Sequence, residues 1–175
     1  MIAPGLTDGV VTLRPPDERD LEAIEFGIHD PDVVRWFGRP SGSAAEVLAL
    51  NRSRWAHGSP TLSICEAGEV CIGHVWVNLG AKDPAIGYLG YWLLPAARGR
   101  GLATRAVRLI SGWALRELGI DRLRLHAEPA NEPSQGVAER SGFRRVGRIP
   151  GNGAIDGRIV DQVVLELPPE ALDQA

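Results

Sequence analysis

From Leu102 to Leu118 the apolar residues recur at helical spacing. Leu102, Ala106, Leu109, Ile110, Trp113 and Leu118 share one face, and Gly119 stands where a left-handed residue ends a helix. The period then changes to two over Arg122–Ala127: Leu123, Leu125 and Ala127 face one way, Arg122, Arg124 and His126 the other, as in a strand. Upstream, Leu21, Ile24 and Ile28 mark a helix that Asp17 caps, and Asp30-Pro31 opens another turn carrying Val33, Val34 and Trp36. Ser43 caps a helix running to about His57 with Val47, Leu48 and Trp55 as its apolar side. Asn131, two residues before Pro133, caps a helix closed by Gly142. Strands are predicted at Val10–Arg14, Thr61–Glu66, Val70–Val77, Ile86–Leu94, Phe143–Arg148 and Ile159–Leu167, with Gly147–Gly157 as a mobile loop. No repeat or linker interrupts the pattern, so residues 1–175 read as one α+β domain.

Composition narrows the class. Hydrophobic residues make up 44% and charged residues 23%, as in ordinary globular chains. No apolar run nears the roughly 18 residues of a membrane helix, and no basic-then-apolar leader opens the chain. Cys65 and Cys71 flank a hairpin turn. A two-residue Ala67-Gly68 loop pairs Cys65 with Val70 and Ile64 with Cys71, sending the thiols to opposite faces. Two buried free thiols then point to a reducing, cytoplasmic setting. His29, His57, His74 and His126 lack metal-ligand spacing, so no metal is expected.

Charge is uneven. The net value is −3, which argues against a general nucleic-acid binder. Residues 98–148 nevertheless hold 11 arginines against five acidic residues, a local +6 that leaves −9 for the remainder. Lys82 is the only lysine. A small anion is the partner that such a block suggests.

The block contains Arg98-Gly99-Arg100-Gly101-Leu102-Ala103, between a strand and the long helix. Its glycines permit a tight turn whose N–H groups converge on an anion at the positive end of a helix. No Gly-Lys occurs for a Walker loop, and a dinucleotide fingerprint lacks its third glycine at Thr104. Arg98-x-x-Gly101-x-Ala103 instead resembles the acyl-CoA signature of the GCN5-related N-acetyltransferases. Gly87–Leu93 is similar to that family's fourth strand, and Asn131-x-x-Ser134 leading to Glu139-Arg140-Ser141-Gly142-Phe143 to its later helix. Leu13-Arg14-Pro15 and Asp30–Val34 resemble the RimJ/RimL-like subfamily.

The resemblance implies an α/β/α sandwich: a mixed, mostly antiparallel sheet of about seven strands, its fourth and fifth strands splayed. It implies acetyl-CoA as cosubstrate, with pantetheine along Trp92, Leu93 and Leu94 and pyrophosphate on Arg98, Gly99, Arg100, Gly101, Leu102, Ala103 and Thr104. Asn131 and Ser134 would lie at the thiol end, Asn131 as helix cap, ligand or both. The reaction implied is direct attack of an amine, from a protein N-terminus or a small molecule, on the thioester. A backbone N–H at Leu93 or Leu94 would meet the oxyanion, and Ser134 would protonate the thiolate. The subfamily's glutamate base has no counterpart near Gly153; Asp156, Glu128, His126 or no base at all stay open. Trp36, Trp55 and Tyr88 are candidates for the acceptor wall, with core packing as the alternative for the tryptophans. Pairing of an exposed edge strand would give a homodimer. A CoA-binding module without catalysis is the competing reading.

Overall fold

The computed structural model describes residues 5–39, 41–66 and 69–169. Among these residues eight strands form one sheet: β1 (Leu6–Thr7), β2 (Thr12–Arg14), β3 (Thr61–Glu66), β4 (Val70–Leu79), β5 (Ile86–Leu93), β6 (Arg122–Ala127), β7 (Arg144–Ile155) and β8 (Arg158–Leu167). Their order is β1-β2-β3-β4-β5-β6-β8-β7, and every pairing is antiparallel except β5 with β6. The helices are α1 (Leu21–His29), α2 (Pro31–Phe37), α3 (Ala44–Ala56), α4 (Leu102–Glu117) and α5 (Glu132–Arg140).

The apolar stripe of α4 supplies the main core. Ala106, Val107, Ile110 and Ala114 are fully enclosed against Leu62, Ile64, Val75, Leu93 and Leu123 from the sheet. On the other face Ala23 of α1 meets Cys65 and Cys71, while Ile24 packs on Ala44 and Leu48 of α3. Asp17 caps a short 3-10 turn that leads into α1.

Two expectations fail in the hairpins. Ala67 and Gly68 lie outside the described residues, but Glu66 pairs with Val70 and Cys65 with Cys71. Glu69 adopts φ +63°, lengthening the connection by one residue, and a bulge follows between Ile64 and Cys65. The two thiols therefore share a face; both are free and buried. The loop expected at 147–157 is instead mostly strand. β7 runs to Ile155, and Asp156-Gly157, at φ +46° and +76°, form a tight two-residue turn into Arg158. Pro150 fits because β7 is an edge, and register shifts after Arg145 and Ile149 absorb its glycines.

Below α1 lies a buried polar cluster. Asp20, Cys71 and His74 each bring a potential ligand atom within 4.8 Å of the others. Asp20 already accepts from Arg14 Nη2 at 2.6 Å, Arg14 Nη1 at 3.0 Å, Ser63 Oγ at 2.6 Å and the Asp17 N–H at 3.0 Å. Its oxygens are thus committed to an ion pair.

Candidate active site

The site begins where β5 leaves β6. The two strands pair only through Ile86, Gly87 and Tyr88 against Arg122, Leu123 and Arg124. Beyond that they part, and the ladder to β4 decides which groups of β5 face the gap. Leu94 N–H donates to Ile72 O at 2.8 Å, and Gly80 N–H to Ile86 O at 2.9 Å. These two bonds set the alternation: Trp92 and Gly90 direct their main-chain groups to β4, while Tyr91 and Leu93 direct theirs away. Of the three residues expected on the open edge, only Leu93 has its N–H there. Trp92 and Leu94 are paired with β4, and Tyr91, which no sequence signal marks, joins Leu93 on the open side.

Trp92 has a different task. Its ring lies against α1, where a Cβ on Gly27 would stand 2.6 Å from it, and 5.2 Å from the His74 ring. Gly73 has its own constraint, since a Cβ there would come 2.1 Å from Trp92 O.

After β5 the chain makes a 3-10 turn at Pro95–Ala97 and a loop to α4. Gly99 and Gly101 take φ +73° and +77°, and no atom lies within 4 Å of where a Cβ would stand, so the loop is open to one side. Asp30, Ser43 and Asn131 cap α2, α3 and α5 with side-chain oxygens, whereas α4 has Gly101 as N-cap and no side-chain cap. Its first N–H groups are left for another acceptor. The Thr104 hydroxyl beside them is buried without a partner.

The arginines of this loop are not free. Arg98 donates through Nη2 to Asp30 at 2.7 Å, through Nη1 to Asp32 at 2.7 Å and through Nε to Leu93 O at 2.9 Å. Arg100 is paired with Glu66 and does not line the cleft. Arg105 meets Asp8 at 2.7 Å. The cationic block is thus largely answered by carboxylates from the acidic remainder, and the anion site rests on main-chain N–H groups.

A cleft of about 690 Å³ joins these parts. It is lined by Trp36, Tyr91, Trp92, Leu93, Arg98, Gly99, Gly101, Leu102, Ala103, Thr104, Asn131 and Ser134, among others. A smaller cavity of about 70 Å³ shares Trp36, Phe37, Tyr91, Asn131 and Ser134 with it and adds His126, Glu128, Ile155 and Gln162. Asn131 accepts from Ser134 N–H at 3.2 Å, so it is a helix cap that also faces both spaces. Burial pushes the Tyr91 phenol above its ordinary range, partly offset by the influence of the Ser134 side chain.

Other expected residues fall elsewhere. Tyr88 lines neither space; its ring meets His126 edge-on at 5.3 Å. Trp55 packs on Trp113 at 6.0 Å and donates to Thr61 O at 3.0 Å, a core role. Asp156 also lies outside both spaces, accepting from Arg39 N–H at 3.2 Å. Burial holds His126 below its ordinary pKa, its Nδ1 rests 2.9 Å from Gln162 Oε1, and its Nε2 is enclosed without a partner. Glu128 faces the smaller cavity and pairs with Arg158 at 3.3 Å.

Known proteins share this architecture. The Mycobacterium smegmatis RimJ solved with CoA-disulfide superposes with a TM-score of 0.82 at 24% identity, covering 97% of this chain and 87% of that one. A Vibrio cholerae spermidine N-acetyltransferase solved with CoA and spermine gives 0.79 at 19% identity, covering 94% and 99%. At such identities the likeness is one of fold. In sequence, the chain is 36% identical over 80 residues to the Bacillus subtilis "Probable N-acetyltransferase YjcK", a match covering 46% of this chain and 44% of that protein. The chain thus spans less than half the length of that relative. Residues 11–144 match the family described as "Acetyltransferase (GNAT) domain", and this match covers well over half the chain. With the parted strands and the uncapped helix at the cleft, it places the protein in the GNAT acetyltransferase family.

Proposed function

We propose that the protein transfers an acetyl group from acetyl-CoA to an amine, either a protein N-terminus or a small molecule. One observation carries the reading: the free edge of β5 and the uncapped start of α4 border the same cleft. Unpaired main-chain groups in a cleft need partners, and a pantetheine arm followed by a pyrophosphate supplies both kinds. Gly99–Thr104 hold the pyrophosphate through N–H groups. Leu93, next to that loop, takes the arm.

Tyr91 borders both spaces whereas Leu93 borders only the larger. The thioester carbonyl therefore belongs beside the Tyr91 N–H, which becomes the oxyanion donor in place of Leu93. The amine enters from the smaller cavity. As its nitrogen bonds to the carbonyl carbon, charge collects on the oxygen facing that N–H. When the C–S bond breaks, the Ser134 hydroxyl gives its proton to the thiolate and is restored by the proton that the attacking nitrogen sheds. The paired free thiols support a reducing compartment such as the cytoplasm, and the exposed β7 edge supports pairing with a second copy.

The test is thiol release from acetyl-CoA with a panel of amines and peptides bearing free N-termini. Acceptor-dependent release is expected. CoA binding without any such release would favour a binding module instead.

A further inference from the structure

The tip of the β7–β8 hairpin reaches the end of α2 and touches it twice. Asp156 accepts from Arg39 N–H, and Arg158 Nη2 donates to Arg35 O at 3.2 Å. The same Arg158 nitrogen lies 3.3 Å from Glu128 Oε1. Glu128 is the one carboxylate among the described residues lining the smaller cavity, and its side chain is only 14% exposed against 53% for Arg158. A carboxylate and a main-chain carbonyl thus converge on one cation at the edge of the space from which the amine would come. Trp36, Phe37 and Tyr91 supply aromatic walls there. The Arg35 guanidinium lies over the Trp36 ring at 4.6 Å and leaves Glu128 to Arg158.

We propose that Arg158 is a built-in occupant of the subsite that receives the acceptor's positive charge: a cationic amine binds by displacing its guanidinium from Glu128 and the Arg35 carbonyl. The inference rests on the transferase reading and names its acceptor class, an amine that arrives as an ammonium ion. Displacement is easy because a half-exposed ion pair is weak, and the largely enclosed Glu128 carboxylate supplies the opposite charge that offsets the cost of taking an ammonium out of water. The same exchange frees the hairpin tip and widens a space whose 70 Å³ holds little more than the charged head of an acceptor.

Binding of 1-aminobutane and 1,4-diaminobutane to the CoA-loaded protein, with 1-butanol as uncharged control, tests this by calorimetry. Arg158→Ala and Arg158→Gln should each tighten both amines about two- to five-fold, the range set by a partly exposed ion pair. They should leave the alcohol and the KM for acetyl-CoA unchanged, and adding Glu128→Gln should abolish the gain. Asp156→Asn loosens the hairpin without touching Glu128 and should change nothing. Unaltered or weaker amine binding in both Arg158 variants, or an equal gain with Asp156→Asn, would overturn the proposal. Absence of acceptor-dependent thiol release in the unmodified protein would overturn the transferase reading alone, since the binding comparison needs no turnover.

Discussion

Arg98 donates to Asp30 across 2.7 Å, and Asp30 is the residue that caps α2 through the N–H groups of Asp32 and Val33. One carboxylate therefore serves a helix end and a loop arginine, while Arg98 Nε also holds the end of β5 through Leu93 O. Burial opposes ionisation of Asp30, but Arg98 and the Val33 N–H outweigh it and hold the carboxyl below its usual range. The helix carrying Trp36 and Phe37 is thereby fastened to the strand that borders the cleft.

Arg98→Ala leaves Asp30 buried with an unmatched charge, and a loss of about 2 kcal/mol is expected. Asp32→Asn removes only an exposed contact and should cost under about 1 kcal/mol. Urea denaturation separates the two. In kinetics, Arg98→Ala should raise the KM of both substrates, because the arginine touches the cleft loop and the acceptor-side helix together.

Gly101→Ala puts a side chain on a residue at φ +77°, a strain of about 1–2 kcal/mol with no clash to add to it. Because the adjoining N–H groups are the proposed anion site, CoA affinity should fall as well. Gly119→Ala, at φ +65° beyond the other end of α4, carries the same backbone strain away from the cleft. Calorimetry with CoA should show weakening in the first variant and none in the second.

Ser134→Ala should lower kcat by about 100-fold, the scale of a lost general acid, while CoA affinity stays within about two-fold. Tyr91→Phe keeps the Tyr91 N–H and loses only the phenol, which lines the cleft with Ser134, so a smaller loss is expected. Single-turnover thiol release reads both.

Acid should weaken the fold in two stages. Burial pushes His74 down to about 4, against the attraction of Asp20. Between the unfolded value near 6.5 and that figure the unfolded chain binds a proton that the folded one refuses, so stability is full above about pH 6.5 and falls with pH, by about 3 kcal/mol in all. His126, also lowered, adds to the same window. Asp20 and Asp30 have lowered values, so their contribution persists above the ordinary carboxylate range and is lost only as pH drops through their folded values. Denaturation at a series of pH values should show this slope, and His74→Gln should flatten its upper part.

Much of the scaffold is legible in the sequence because its signals are local. The stripe of α4, the Asn131 cap and the glycines at 99 and 101 need only neighbouring residues to be read. What escapes depends on distant partners. Arg98 looks like a phosphate ligand until Asp30 and Asp32, more than 60 positions away, are seen to hold it. Trp92 and Leu94 look as suited to the open edge as Tyr91, because the direction of a main-chain group follows from register with β4, which no residue of β5 announces. The Cys65–Cys71 pairing turns on one left-handed residue, Glu69. β7 escapes because Pro150 and four glycines between 147 and 157 describe a loop, whereas bulges accommodate them on an edge strand.

The two bonds that bracket the β4–β5 ladder, Gly80 to Ile86 and Leu94 to Ile72, also set which changes of length the protein can survive. A single inserted or deleted residue within β5 would turn the main-chain groups of Tyr91 and Leu93 toward β4 and offer the cleft their neighbours instead, reversing every side chain as well. A change of two would keep the alternation. Along this stretch the tolerance to insertion is a matter of odd and even, and relatives that vary in length here should do so in steps of two, or by a bulge that restores the count.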